Sequence, residues 1–165
     1  MNEMEPSRRA LSQMNHPTPE PHVSSIHIAP GSRLPMKPIE EATFTSGKGI
    51  PGDRYELSRH RHVTVQSQAD LDQASAALGT PINPSATRRN ITISTGSVPV
   101  VPGQRMRIGT VEFEVVRIAA PCKLLDNVIG DGARTALRRR AGTVFRVLTG
   151  GTIRLQDPVH LPDSE

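Results

Sequence analysis

Val111-Glu112-Phe113-Glu114-Val115 alternates apolar and acidic side chains and runs on into Ile118-Ala119-Ala120-Pro121-Cys122-Lys123-Leu124-Leu125. Alternation of this kind puts Val111, Phe113 and Val115 on one face of a half-buried β-strand. Just upstream, Met106 and Ile108 share the pattern, and Gly109-Thr110 between the two runs suits a two-residue hairpin turn. Pro121 cannot donate a ladder hydrogen bond, so the strand is expected to end there, with Cys122 on the following turn. A thiol at a strand end, beside a cation, reaches solvent more readily than one in mid-strand. Lys123 and nearby arginines favour the thiolate, the form that attacks electrophiles and binds soft metals. The competing reading of this segment is an inert, half-buried cysteine.

The rest of the chain repeats the strand signature. Val23 to Ile28 reads as a first strand, with Val23, Ser25 and His27 on one face and Ser24, Ile26 and Ile28 on the other. Pro30-Gly31 turns the chain, and Pro35 and Pro38 keep the next segment extended. Ala42-Thr43-Phe44, Arg61 to Gln66 and Ile91 to Ile93 are further strands. Thr143 to Leu148 and Thr152 to Leu155, separated by Gly150-Gly151, read as a final hairpin. Only two helices stand out. Ser67 caps the first, with Asp70 as a weak capping-box partner; Leu71, Ala74 and Leu78 form its apolar face, and Gly79 with Pro81 ends it. Ala133 to Arg140 is the second, with Arg138, Arg139 and Arg140 in its last turn, where cations suit the helix dipole. The fold class is therefore mainly β, and a closed or nearly closed β-barrel with peripheral helices is the economical arrangement, because closure removes exposed edges.

Composition narrows the function classes. A chain of 165 residues fits one domain with a real core, built from aliphatic residues because it has three Phe, one Tyr and no Trp. No apolar run approaches the length of a membrane span, and no signal-peptide core is present at the N-terminus. One cysteine allows no internal disulfide, so a reducing cytoplasm is the expected compartment. Residues 1–22 carry Pro6, Pro17, Pro19 and Pro21 with little apolar periodicity and read as a disordered tail, leaving 23–161 as the domain. That tail has Glu3, Glu5 and Glu20 against Arg8 and Arg9, so the domain carries more than the whole chain's net charge of +4. Arginine far outnumbers lysine, which suits fork-shaped recognition of phosphate or carboxylate. Aromatic stacking partners are nearly absent, which argues against specific nucleic-acid binding.

Three further clusters carry chemical types worth following. Ser46 to Tyr55 holds three glycines that permit close backbone approach to a ligand, but it lacks the Gly-Lys-Ser/Thr ending of a nucleotide-binding loop. His60 and His62 fall on one face of a strand and could pair on a metal, although two ligands without a third are weak evidence. Arg88, Arg89 and Asn90 stand at a strand start, where they could clamp an anion and hydrogen-bond a heterocycle.

Taken in order, these pieces resemble the MOSC family, named for the C-terminal domain of molybdenum cofactor sulfurases. The resemblance lies in Gly-Ile-Pro-Gly-Asp-Arg at 49–54, Arg61-His62-Val63-Thr64-Val65, Arg88-Arg89-Asn90-Ile91, Gly103 with Ile108-Gly109, and Pro121-Cys122. It continues through Gly142 to Leu148, Gly151-Thr152-Ile153 and Asp157-Pro158-Val159, and so spans about residues 23–160. Tyr55 stands where the family usually has histidine, and Gln156-Asp157 where it usually has Gly-Asp.

The resemblance implies a MOSC-type β-barrel and a functional Cys122, with two chemistries attached. In one, Cys122 ligates the molybdenum of a bound molybdenum cofactor (molybdopterin), and N-hydroxylated compounds are reduced or detoxified. Arg61, Arg88 and Arg89 would then suit the pterin phosphate, Asn90 the ring, and the amides of the Gly47–Gly52 loop a close approach. Arg54 and Lys123 complete the candidate cofactor contacts. The chain has no flavin, haem or iron–sulfur motif, so electrons would come from separate electron-transfer proteins. In the other chemistry, Cys122 carries sulfur as a persulfide during metal-cofactor maturation, supplied by a pyridoxal-phosphate-dependent cysteine desulfurase. A third reading is a non-catalytic basic binding module in which Cys122 is structural.

Overall fold

The computed structural model describes residues 20–163, and the expected tail lies outside the described residues as far as residue 19. Its last residues belong to the fold: the Pro21 carbonyl accepts the Val159 N–H at 2.9 Å, and His22 exchanges hydrogen bonds with Ser94.

Among the described residues the strands, in order, are β1 (Val23–Ile28), β2 (Lys37–Ile39), β3 (Glu41–Phe44), β4 (Val63–Ser67) and β5 (Ile91–Ile93). They continue with β6 (Arg105–Ile108), β7 (Val111–Ile118), β8 (Thr143–Thr149), β9 (Gly151–Arg154) and β10 (Val159–His160). Helix α1 (Gln68–Leu78) and a 3-10 turn (Pro84–Thr87) connect β4 to β5, while α2 (Leu124–Val128) and α3 (Ala133–Ala136) lie between β7 and β8. The fold is mainly β with peripheral helices, as expected.

The sheet is not closed into a barrel. Eight strands run in the order β10-β6-β7-β8-β4-β5-β1-β2, which leaves β10 and β2 as edges, and β3 pairs with β9 in a separate two-stranded sheet. The expected hairpin between β8 and β9 does not form: β8 pairs with β4 and β7, and Gly150-Gly151 passes β9 to β3 instead. The β6–β7 hairpin forms as read, with Met106 opposite Phe113 and Ile108 opposite Val111. Strand β7 stops at Ile118, short of Pro121, and the Ala119 N–H instead donates to the Gly142 carbonyl at 3.0 Å.

Neighbours β4 and β5 are parallel, which demands a crossover longer than a tight turn; α1 supplies it. Ser67 caps α1 by accepting the Ala69 N–H at 3.3 Å, and Gly79 ends it in the left-handed conformation at φ 79°. In β1 a bulge between Val23 and Ser25 resets the alternation, so Val23 joins Ile26 and Ile28 in the core.

The main core lies on the sheet and contains the edge-to-face contacts Phe44–Phe113 (5.6 Å) and Phe113–Phe145 (5.9 Å). A second cluster sits beneath α1, where Leu71 and Ala74 pack with Leu125, Ala133 and Leu137. Leu125 thereby anchors the turn that carries Cys122. No helix among the described residues is long and apolar enough to cross a membrane.

The second helix is shorter than its arginines suggest. It ends at Ala136, and Arg138 to Arg140 lie in the turns beyond it, with Arg139 at φ 60°. Of the three side chains, only that of Arg140 bonds a helix carbonyl, donating to Ala136 at 3.3 Å. The helix-dipole role expected for Arg138 and Arg139 is therefore not realised.

Candidate functional site

Four segments meet at one cleft of about 650 Å³: the loop after β1, the 53–64 loop with the start of β4, residues 88–90 before β5, and 120–127 after β7. It gathers Arg54, Arg61, Arg88, Arg89, Asn90, Cys122 and Lys123 from the residues singled out for cofactor or metal contact, but neither His60 and His62 nor the Gly47–Gly52 loop. With Arg33, the lining carries six cations against two carboxylates, Asp53 and Asp126. Such a cleft selects anions.

Cys122 is exposed, and its Sγ accepts the Leu124 N–H at 3.4 Å while its carbonyl accepts the Leu125 N–H at 3.0 Å. Those two bonds lead into α2 and hold the sulfur against its first turn. Helix α2 was missed by sequence reasoning, because five residues are too few to establish a helical period.

Each arginine has a distinct part. Arg89 is buried, donating Nε to the Ala141 carbonyl at 2.6 Å and one amino group to the Ala120 carbonyl at 2.9 Å. It ties the strand start of β8 to the segment before Cys122. Burial pulls Arg89 down to about 10; Arg61 adds to the fall, and Cys122 and Tyr55 oppose it. Arg88 holds φ 64° and donates to the carbonyls of Leu34 and Gly31, fixing the loop on the opposite wall. Arg61 is half-buried, and burial lowers it too, with Tyr55 opposing and Arg117 and Arg54 reinforcing. Its Nε is buried and has no hydrogen-bond partner among the described residues. Arg54 and Arg61 both lie over the Tyr55 ring, at 4.5 and 4.3 Å from its centroid.

Asn90 is a strut. Its Oδ1 accepts the Thr64 N–H (3.0 Å) and hydroxyl (3.2 Å), while Nδ2 donates to the His27 carbonyl (3.0 Å) and to Asp53 (3.2 Å). All of its side-chain polar capacity is thus committed inside the protein. Asp53, in the Gly-Asp-Arg run, has a role that the sequence does not reveal. It is a buried carboxylate held by the N–H groups of Ala29 (2.7 Å) and Tyr55 (3.1 Å).

The glycine loop also works inward. The amides of Gly47, Gly49 and Gly52 donate to Val147, Glu56 and the Glu56 carboxylate. A Cβ on Gly49 would meet the His62 carbonyl oxygen at 2.5 Å, so this glycine serves close packing of backbone on backbone rather than approach to a ligand. The expected histidine pair does not assemble. His62 is buried and its Nδ1 accepts the Val147 N–H at 2.8 Å, whereas His60 is exposed. Among the described residues no three His, Cys, Asp or Glu side chains converge on a metal position.

Fold and cleft together define a class: a mixed, mainly antiparallel sheet that brings one exposed cysteine to a cationic, anion-selecting cleft. The chain belongs to the MOSC domain family, whose model matches residues 52–160. Solved structures that share the fold include three from named proteins. YuaD from Bacillus subtilis superposes with a TM-score of 0.76 at 17% identity, covering 88% of this chain and 98% of that one. YiiM from Geobacillus stearothermophilus gives 0.63 at 16% identity, covering 87% of this chain and 75% of that one. YiiM from Escherichia coli gives 0.62 at 16% identity, covering 87% and 71%. No curated protein sequence matches the chain.

Proposed function

We propose that this protein binds the molybdenum cofactor in the Cys122 cleft and acts on N-hydroxylated compounds, with electrons delivered by separate proteins. The observation that carries the reading is the convergence of the only cysteine with six cationic side chains on one cleft. The donor set fits the group: a soft thiolate suits molybdenum, and guanidinium forks suit a phosphate. Arg61 Nε, buried and unpartnered among the described residues, is a donor that an entering anion would satisfy.

When bound, the cofactor supplies the two-electron chemistry. What this chain contributes is positioning. Cys122 would hold the metal, and Arg54, Arg61, Arg88 and Lys123 would face the cofactor's anionic end. Arg88 and Arg89 have already spent hydrogen bonds on the backbone, so their charge acts mainly through the field of the cleft. Asn90, being saturated, would support Asp53 and Thr64 rather than reach a ring itself. The cytoplasm is the compartment in which we place this activity.

Elemental analysis tests the proposal on wild type and Cys122→Ala, both expressed with molybdate in a host that makes the cofactor. Near-stoichiometric molybdenum in wild type, lost in the variant, is the expected result. Molybdenum in neither overturns it.

The exposure of Cys122 favours a second reading, because a thiol that a macromolecule can reach could receive sulfur as a persulfide from a cysteine desulfurase. Incubation with a desulfurase and cysteine would then add one sulfur to Cys122, visible by mass spectrometry. An unmodified thiol under those conditions removes this reading.

A further inference from the structure

On the other side of Ala120-Pro121 from the Cys122 cleft lies a second groove, of about 540 Å³. Ala120 lines both, so the two are contiguous across one residue. Arg134, Arg138 and Arg139 form one wall with Thr135, and no carboxylate lines it among the described residues. None of these arginines takes part in an ion pair there. Asp126, which does touch this segment, spends its Oδ1 on the backbone N–H of Arg134 at 2.9 Å and lines the Cys122 cleft instead.

Structural duties do not explain the cluster. Arg140 points elsewhere, bonding the Ala136 carbonyl and lying close enough to Asp70 to lower its carboxyl against the rise that burial causes. Arg138 and Arg139 have no such duty. Arg139 moreover holds φ 60°, a left-handed conformation that costs a non-glycine residue about 1 kcal/mol or more. The opposite wall is apolar, formed by Ile118, which is 44% exposed, and Pro121.

We propose that this groove binds the phosphate of a ligand of mononucleotide size, with the flat part of the ligand against Ile118 and Pro121. Three guanidinium forks and a hydroxyl match a dianion with three acceptor oxygens; a single carboxylate would leave most of those donors idle. The volume lies within the range of about 300–1,000 Å³ typical of small-molecule sites. Beside the Cys122 cleft, such a site makes the N-hydroxylated compound a nucleotide rather than a free base. That last step rests on the reading under "Proposed function"; the binding site itself does not.

The test uses the full chain without molybdenum, titrated with AMP, adenosine and inorganic phosphate by calorimetry and by NMR. AMP is expected to bind more tightly than phosphate, adenosine to bind weakly, and the amides of Thr135 and Ile118 to shift. Arg138→Gln/Arg139→Gln, two exposed positions whose loss leaves the fold intact by circular dichroism, should weaken AMP by about tenfold or more. AMP affinity unchanged in the double variant, or no AMP binding at all, overturns the proposal. Phosphate binding as tightly as AMP overturns the mononucleotide assignment. Molybdenum loading is a separate measurement, so failure of the cofactor reading and failure of the groove are told apart.

Discussion

The guanidinium of Arg61 lies 4.3 Å from the ring centroid of Tyr55. Arg54 lies over the same ring at 4.5 Å. The ring thus steadies two cations that would otherwise repel each other, each contact contributing about 0.5–1 kcal/mol. Tyr55→Phe keeps the ring and should load molybdenum like wild type. Tyr55→Ala frees both side chains and should lower loading several-fold, with little change in Tm because the ring is half-exposed. Equal loading in the two variants would show that the stack does not position the arginines.

Arg89 should matter more for folding than for binding. Replacing it by Gln removes two charge-assisted bonds to the Ala141 and Ala120 carbonyls and leaves both without partner. The expected cost is about 2–4 kcal/mol, or a fall in Tm of roughly 5–15 °C for a chain of this size. Arg89→Lys should recover little, since one ammonium cannot span two carbonyls as a fork does. A thermal melt of Arg89→Lys matching wild type would contradict this account.

The fold was largely legible because alternation and turns are local signals. Strand β7, its hairpin with β6 and the caps of α1 could be read from consecutive residues. Pairing across the chain could not. Gly150-Gly151 looks like a hairpin turn, and only the competition of β4 and β7 for both edges of β8 sends β9 to β3. Likewise, Cys122 and the arginines announce themselves by chemical type, but which arginine faces the cleft and which holds backbone depends on burial. Asn90 reads as a ligand contact until Asp53, 37 positions away, is seen to claim its amide.

Stability should fall on mild acidification. His62 and His27 are buried, and burial lowers both below their ordinary value of 6.5; at His62 the carbonyls of Arg59 and Ser58 oppose the fall. In the unfolded chain they take up protons near that value, whereas the fold keeps them neutral. The contribution is therefore complete above about pH 6.5 and is lost as pH falls from there towards the depressed folded values, at up to about 1.4 kcal/mol per pH unit for each group. His62→Gln removes one titrating ring, and denaturant melts between pH 7 and 5 should show a shallower pH slope. An unchanged slope would mean that His62 charges freely within the fold.

Asn90 and Asp53 offer the sharpest test of the cleft floor, because their side chains meet at 3.2 Å, buried, where Asp53 also holds the Ala29 N–H. Asn90→Ala leaves Asp53, Thr64 and the His27 carbonyl each short of a partner, at a cost of about 2–4 kcal/mol. Asn90→Asp is close to isosteric but sets one carboxylate against another where both are buried, and it should be the less stable of the two at neutral pH. As pH falls, one proton shared between the two carboxyls restores a donor, so Asn90→Asp should gain on Asn90→Ala. The comparison is made between variants at each pH, which cancels the loss that both suffer from His27 and His62. A constant difference between them across pH 7 to 5 would place residue 90 out of reach of Asp53 and remove the strut from the floor of the cleft.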